Sequence, residues 1–211
     1  MTPAQIDAFF STLHAANPHP VTELEYTSVF ELLAAVLLSA QATDVGVNKA
    51  TRRLFPVANT PQKIIDLGLD KLMASIQTIG LYRTKAANLM KTCQILVNEH
   101  GGEVPRTGEA LEQLPGVGRK TANVVLGTAY GIASGVVVDT HVQRISQRLD
   151  LTTETDPVKI ERDLMKIIPQ DQWIPFSHRI ILHGRALCVA RKPKCAECKL
   201  SPVCYADDKI A

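Results

Sequence analysis

Residues 114–125 of this chain read LPGVGRKTANVV, and this stretch decides the fold prediction. Pro115 ends one helix, and Gly116 and Gly118 allow backbone angles that other residues rarely adopt. The next helix then begins with unblocked amide groups, which is a typical phosphate-binding arrangement. A P-loop nucleotide site is excluded, because no strand precedes the stretch and the G-x-x-x-x-G-K-[ST] pattern is absent. The stretch therefore predicts two helices joined by a glycine hairpin over about 108–130, which either binds an anion or is simply a tight turn.

Two charged residues that follow the hairpin are candidates for chemistry. Lys120 lies in the first turn of the second helix beside Arg119, where the helix dipole and the neighbouring cation both disfavour an ammonium group. A neutral lysine amine is a nucleophile that forms Schiff bases, and the alternative role is a further phosphate contact. Asp139 directly precedes another helix, so it is either an N-cap or a carboxylate that faces the hairpin. Position alone does not choose between these interpretations.

The spacing of apolar residues is helical almost everywhere, which predicts an all-α chain. Three helix starts are marked by capping signals. These signals are Ser28 with Glu31, Thr60 before Pro61, and Asp156 before Pro157. The first of these helices runs through Leu38 and is apolar on all sides. The remaining helices are predicted at 44–54, 71–77, 82–99, 108–114, 118–130, 140–149 and 173–187, which gives about ten helices in all. The valine run at 136–138 is too short to predict a sheet, and the small residues at 131–135 predict a domain boundary.

Composition excludes several classes of protein. The chain has 211 residues, 45% of them hydrophobic, and a net charge of only +2, which excludes intrinsic disorder. Its longest apolar run covers residues 32–38, far short of the ~20 residues that a membrane-spanning helix needs. The N-terminus shows no export signal, so we expect a cytoplasmic protein, associated with the nucleoid if the source is bacterial.

Charge is distributed unevenly along the chain. Residues 1–31 contain four acidic side chains and no Lys or Arg, whereas residues 179–199 contain six basic side chains and one acidic side chain. A locally basic segment predicts contact with a polyanion, and the alternative is an ordinary solvated surface.

Four of the five cysteines lie together near the C-terminus. They are Cys188, Cys195, Cys198 and Cys204, in the spacing C-x6-C-x2-C-x5-C. Four thiolates so close in sequence can bind one zinc ion or one iron–sulfur cluster, and the long intervals favour the cluster. Disulfides are not expected without an export signal. Cys93 lies among apolar residues in the predicted helix 82–99 and is expected to be a small buried hydrophobe.

Taken together, these residues resemble the endonuclease III family of helix-hairpin-helix DNA glycosylases. The matching segments are NPHP at 17–20, LLSAQATD at 37–44, TIGLY at 78–82, LPGVGRKTANVV at 114–125, VDTHV at 138–142 and LHGR at 182–185. The resemblance implies two helical domains with DNA in the cleft between them. Residues 22–132 would form a six-helix barrel, and residues 1–21 with 133–211 would form a second domain that carries a [4Fe–4S] cluster on the loop 188–204.

The resemblance also implies roles for individual residues. Lys120 matches the nucleophile that forms a Schiff base with the sugar, and Asp139 matches the essential carboxylate. DNA contacts are implied or expected for Gln41, Leu81, Gly116, Gly118, Arg119, His141, Arg191, Lys192 and Lys194. Among these, Gln41 and Leu81 match residues that fill the space left by an extruded nucleotide. The alternative for Leu81 is an ordinary core residue. His141 matches a residue near the lesion, and its alternative is a structural histidine. Cys188, Cys195, Cys198 and Cys204 match the ligands of the cluster.

The implied function is base excision repair by a monomer. The enzyme would remove oxidised pyrimidines from double-stranded DNA and then cleave 3′ to the abasic site by β-elimination. Three alternatives stay open: an adenine glycosylase, which lacks a lysine at this hairpin position; a non-enzymatic hairpin module, which needs no pairing of Lys120 with Asp139; and a zinc-stabilised interaction protein.

Overall fold

A computed structural model describes residues 3–209, and every regular element within that range is helical. The α-helices are α1 (Pro3–Ala16), α2 (Val29–Ser39), α3 (Asp44–Leu54), α4 (Pro61–Leu67), α5 (Leu69–Ile76), α6 (Tyr82–His100), α7 (Gly108–Glu112), α8 (Arg119–Tyr130), α9 (Thr140–Arg148), α10 (Pro157–Ile167) and α11 (Trp173–Ala186). Short 3₁₀ turns cover Gln170–Gln172, Cys195–Glu197 and Ser201–Val203. The all-α prediction is confirmed. Across the described residues, none of the helices is both long and apolar enough to cross a membrane.

Two of the predicted helix starts follow directly from local capping. The Thr60 hydroxyl accepts from the amide of Lys63 at 3.3 Å and begins α4. One oxygen of Asp156 accepts from the first-turn amides of α10 at 3.0 Å. In both helices proline occupies the first position, as predicted, because its missing N–H would have no partner there.

The start of α2 differs from the predicted capping box. The Ser28 hydroxyl accepts from the amide of Glu31 at 3.1 Å, as expected. The Glu31 carboxylate, however, accepts from the amide and the hydroxyl of Thr27, at 2.6 and 2.7 Å, instead of from the amide of Ser28. Glu31 is only 3% exposed, and one of its oxygens gains two donors by reaching one residue further. Burial of the carboxylate explains the difference, because a buried charge needs several hydrogen bonds.

The chain divides into two compact units. One unit is Glu23–Ile132, and the other comprises Met1–Thr22 and Ala133–Ala211. These bounds differ by one residue from the predicted ones. At the second boundary α8 ends on Gly131, whose left-handed conformation (φ +66°) lets its amide donate back to the last turn of the helix.

The unit Glu23–Ile132 is built around α2, whose residues 30–38 are all buried. This helix packs against α3, α6 and α8, which explains why it is apolar on every side. Cys93 on α6 is completely buried, and burial raises the pKa of its thiol to about 12. The prediction that Cys93 is a small buried hydrophobe is confirmed.

The second unit has its own core, in which α1 packs on α11 and α11 on α9. Phe9 and Phe176 meet edge to face, with ring centroids 6.2 Å apart. The valine run at 136–138 is buried but forms no strand, and the amide of Val137 donates to the hydroxyl of Ser177 at 3.0 Å. These valines therefore act as an apolar anchor for the segment that leads into α9.

Arg179 does not belong to the basic surface that the residue count at 179–199 suggested. It is only 5% exposed, and its guanidinium donates to the carbonyl oxygens of Asn17 (2.9 Å) and Pro18 (3.2 Å) and lies 2.8 Å from the ring of His14. Burial lowers the pKa of Arg179, and its partners at the end of α1 compensate for the lost hydration. This arginine ties the N-terminal helix to α11.

Candidate functional site

The hairpin between α7 and α8 contains a turn of four residues, from Leu114 to Val117. The amide of Val117 donates to the carbonyl of Leu114 at 3.0 Å, and Gly116 has a φ of +82°. Proline in the second position and a left-handed glycine in the third define a type II turn. A Cβ atom at Gly116 would lie 2.9 Å from Nδ2 of Asn88 and 3.0 Å from Cδ2 of Leu37. The predicted need for glycine is confirmed at Gly116.

The same prediction is wrong for Gly118. Its φ of −99° and ψ of 178° are extended values that any residue adopts, and a Cβ atom there would meet nothing within 4 Å beyond its neighbours in the chain. Gly118 is the N-cap of α8, where an extended conformation is the rule. Because glycine has no side chain, the start of α8 lacks a side-chain cap. The glycine therefore leaves the N-terminus of the helix open to an anion.

Lys120 and Arg119 are the first two residues of α8, and both are exposed. Two cationic side chains thus project from the positive end of a helix that has no side-chain cap. This combination favours an anionic group outside the hairpin. The backbone from which Lys120 projects is well defined, because the turn that precedes α8 is held on both sides by α2 and α6.

Gln41 and Leu81 share an unusual backbone conformation. Both are exposed, and both are left-handed, with φ values of 54° and 58°. Leu81 is 62% exposed at the start of α6, which rules out the alternative of a core residue. An apolar side chain in solvent on a strained backbone contributes nothing to a core, and such residues cluster at functional sites.

Asp139 is the N-cap of α9. Its Oδ1 accepts from the amides of His141 and Val142, each at 2.8 Å. The capping interpretation is confirmed. Both bonds end on Oδ1, so the cap does not use the second carboxylate oxygen. The helix dipole favours a negative charge at this position.

His141 is half-buried between α9 and α11. Its Nδ1 lies 3.1 Å from the guanidinium of Arg144, and a Cβ atom at Gly184 would lie 2.7 Å from that same nitrogen. Gly184 thus lets the two helices approach over the histidine ring. These contacts give His141 a structural role, and its contact with DNA stays a prediction.

The four C-terminal cysteines line one partly open cavity, together with Leu187 and Pro193 among others. Within the described residues, no three His, Cys, Asp or Glu side chains are placed to hold a single metal ion. Four thiols that line one cavity form a donor set that can hold either one zinc ion or one iron–sulfur cluster.

Polar groups that sequence reasoning missed surround this cavity. Arg148 donates to the sulfur of Cys188 at 3.2 Å, and Arg144 donates to the carbonyl of the same cysteine at 2.7 Å. The ring of His183 lies 3.5 Å from the sulfur of Cys198. The one sequence signal is the spacing of the two arginines, four residues apart and therefore on one face of α9.

The thiol of Cys198 is hard to ionise in this setting. Burial raises its pKa, and the neighbouring cysteines raise it further by charge repulsion. A bound cation would offset both effects, because metal ligands are thiolates and their binding releases protons. The donor set therefore fits a metal-containing group, with Arg148 as an additional positive charge beside Cys188.

The loop between Cys188 and Cys195 carries the exposed side chains of Arg191, Lys192 and Lys194. Lys192 has a φ of 55°, so it is a third candidate DNA contact in a left-handed conformation. The amide of Lys194 donates to the carbonyl of Leu187 at 3.0 Å and closes the loop.

Comparisons with known proteins first give the class of protein. A family model described as HhH-GPD superfamily base excision DNA repair protein matches residues 34–170. The chain is 55% identical over 198 residues to endonuclease III of Haemophilus influenzae and 51% identical over 198 residues to endonuclease III of Escherichia coli K12, in both cases covering 94% of this chain and 93% of the other.

Solved structures agree with these relatives. The chain is similar, with a TM-score of 0.92 and 44% identity, to an endonuclease III trapped in a covalent intermediate with DNA, over 97% of this chain and 96% of the other. A thermostable thymine-DNA glycosylase has the same fold, with a TM-score of 0.84 at 23% identity, over 96% of each chain. The chain belongs to the endonuclease III family, and its activity is that of a base excision repair DNA glycosylase and AP lyase.

The two hairpin glycines give a matched pair of substitutions. Gly116→Ala should lower the free energy of unfolding by about 1–3 kcal/mol or more, because a left-handed alanine is strained and its Cβ meets Asn88 and Leu37. Gly118→Ala should cost less than about 1 kcal/mol, because an extended N-cap accepts a side chain. Urea denaturation of both variants measures the difference. Equal losses would contradict the constraint assigned to Gly116.

Proposed function

We propose that this glycosylase removes oxidised pyrimidines from duplex DNA and cleaves 3′ to the abasic site through a Schiff base on Lys120. The observation that carries the proposal is the position of Lys120, exposed in the first turn of α8 directly after a turn that α2 and α6 hold in place. A primary amine can perform both reactions, because an imine at the sugar makes the neighbouring C–H acidic. The similarity to an endonuclease III trapped covalently on DNA supports this assignment.

The chemistry proposed for Lys120 has two steps. The amine attacks C1′ of the damaged nucleotide, the bond from C1′ to the base breaks, and the base leaves with a proton. The bond from C1′ to O4′ then breaks as O4′ takes up a proton, and the nitrogen lone pair forms the protonated imine. This imine acidifies the 2′ hydrogen, and loss of that proton expels the 3′ phosphate. The second step needs no further nucleophile, since the imine is the electron sink.

We assign Asp139 the role of the carboxylate that assists both steps. Its Oδ1 is held by two amides of α9, which fixes the side chain, and the other oxygen is outside the cap. A fixed carboxylate would stabilise the positive charge that develops on the sugar and would assist proton transfer during the reaction.

The proposed DNA contacts separate into two groups. The open N-terminus of α8, with Gly116, Gly118 and Arg119, would bind backbone phosphate. Gln41 and Leu81 would fill the space left by an extruded nucleotide, whose removal from the stack costs a few kcal/mol and least for a damaged base. Their exposed, left-handed conformations support this role.

In the second unit, Cys188, Cys195, Cys198 and Cys204 would hold a [4Fe–4S] cluster. With four protein ligands the cluster would supply structural stability, because no iron is left open to a substrate. The cluster would fix the loop whose side chains Arg191, Lys192 and Lys194 contact phosphate, and His141 would lie near the lesion. We place the enzyme in the cytoplasm, as a monomer on DNA.

Covalent trapping with borohydride tests the role of Lys120. The wild-type protein should form a covalent complex with DNA that contains an oxidised pyrimidine, because reduction of the imine fixes the bond. Lys120→Ala should abolish the complex, whereas Lys91→Ala, an exposed lysine on α6, should leave it unchanged. Gel electrophoresis after borohydride treatment measures the yield. Trapping that persists in Lys120→Ala would place the nucleophile elsewhere.

Asp139→Asn separates the charge from the cap. Asparagine keeps an oxygen that accepts from the amides of His141 and Val142, so the free energy of unfolding and the affinity for DNA should stay close to the wild-type values. Base removal should fall about a hundredfold or more, because the developing positive charge loses its partner. Asp156→Asn, the same change in the cap of α10, is the matched control and should keep full activity. An Asp139→Asn enzyme with wild-type turnover would contradict the charge role.

Metal content tests the cysteine site. The purified protein should contain iron and acid-labile sulfide, and Cys198→Ser should lose both, since the cluster would lack one of its four ligands. Cys93→Ala should keep the iron, because Cys93 is buried in the core of the other unit. Elemental analysis measures each metal. One zinc per chain and no iron would show that the site holds a single ion instead.

A further inference from the structure

Thr92 uses its hydroxyl differently from other residues in the helices. Five helical hydroxyls donate to a carbonyl three or four residues back in their own helix, as such side chains commonly do. They belong to Thr12, Ser39, Thr51, Ser75 and Ser177. The hydroxyl of Thr92, on α6, instead donates to the carbonyl of Pro115 at 3.2 Å, although the two residues are 23 positions apart. Thr92 is completely buried, and the bond as a whole is partly buried, because Pro115 is partly exposed.

The carbonyl of Pro115 belongs to the peptide that defines the type of the hairpin turn. Type I and type II turns differ by a flip of the peptide between their second and third residues, here Pro115 and Gly116. The hydroxyl of Thr92 holds this carbonyl on the side of α6. In a trans peptide the N–H points away from the C=O, and no cis peptide is present within the described residues. The amide of Gly116 therefore points away from α6, and Gly116 is exposed.

The helix that provides Thr92 directly follows the exposed Leu81, which is its N-cap. Within this helix Lys85, Asn88 and Thr92 follow one another at intervals of three and four residues, so they share one face of α6. Asn88 on this face contacts the position that a Cβ of Gly116 would take. One rigid helix thus joins the residue proposed to enter the DNA stack to the turn proposed to bind phosphate.

We propose that Thr92 is a positioning residue for the repair reaction. By holding the carbonyl of Pro115 it directs the amide of Gly116 toward the DNA backbone and sets the start of α8, where Lys120 lies. Through α6 it couples the hairpin to Leu81. The inference rests on the function proposed above for the hairpin and for Leu81.

Equilibrium binding to a duplex with a tetrahydrofuran abasic-site analogue tests this role without any chemical step. Thr92→Val removes the hydroxyl and should raise the dissociation constant about tenfold, equal to about 1.4 kcal/mol. The slope of affinity against salt should not change, because the lost contact is a neutral amide and releases no counterion. Thr92→Ser should restore affinity to within about twofold of the wild type.

Thr128→Val is the matched control. The hydroxyl of Thr128, on α8, is buried and has no hydrogen-bond partner in the described part of the chain. Its removal should change the dissociation constant less than about twofold. Equal losses in Thr92→Val and Thr128→Val, or wild-type affinity in a folded Thr92→Val, would overturn the inference. If Thr92→Val does not fold, Thr92→Ala and Thr92→Ser differ by the hydroxyl alone and give the same comparison.

A double-mutant cycle tests the coupling through α6. The double variant with Leu81→Ala and Thr92→Val should raise the dissociation constant by clearly less than the product of the two separate fold-changes. Either change alone already removes the contribution of α6 to DNA binding. Independent effects would overturn the coupling. Borohydride trapping distinguishes a failure of the role proposed for Thr92 from a failure of the proposed function. A wild type that traps, with Thr92→Val binding as tightly, overturns only the role of Thr92, whereas a wild type that fails to trap overturns the proposed function.

Discussion

The close approach of Gly116 to two helices is the constraint on which the hairpin depends. The backbone at this position lies against Leu37 of α2 and Asn88 of α6, at distances that leave no space for a side chain. The left-handed φ closes the type II turn, and the turn in turn fixes where α8 begins. Lys120 owes its position to this chain of contacts. A buried central helix therefore serves the site as well as the core, because α2 is one wall of the turn.

The net charge of +2 gives little indication of how this protein binds a polyanion. At the hairpin, backbone amides at a helix start that has no side-chain cap add to the positive potential of Arg119 and Lys120, and amides do not enter a count of charged residues. In the second unit, one basic residue of the segment 179–199 makes an internal contact, since Arg179 donates to a carbonyl at the end of α1. Two further arginines, Arg144 and Arg148, turn toward the cysteine cavity. A count of charged residues by segment therefore overstates the exposed positive charge of this unit.

Sequence reasoning predicted the features that are encoded locally. The caps at Thr60 and Asp156 bind amides two or three residues away, and the four cysteines lie within a short loop. It failed at Glu31, which bypassed the predicted capping box because it is buried. It also failed at Gly118, where the sequence pattern did not distinguish a left-handed glycine from an extended N-cap. The bond from Thr92 to Pro115 spans 23 residues and that from Arg148 to Cys188 spans 40, and neither spacing has a signature in the sequence.

Residues other than glycine that adopt a left-handed backbone conformation relate stability to function in this protein. Four occur in the described chain, and Asp150 is readily explained, since a short polar side chain tolerates this conformation at the end of a helix. This explanation does not apply to Gln41, Leu81 and Lys192, whose side chains are longer. Holding each of these residues in a left-handed conformation costs about 1–3 kcal/mol. All three side chains are exposed, so no packing in the core offsets that cost. The surrounding helices and the closed cysteine loop must hold these residues in place. Their exposure and conformation mark Gln41, Leu81 and Lys192 as candidate functional positions, because local preference and global structure conflict mainly at functional sites.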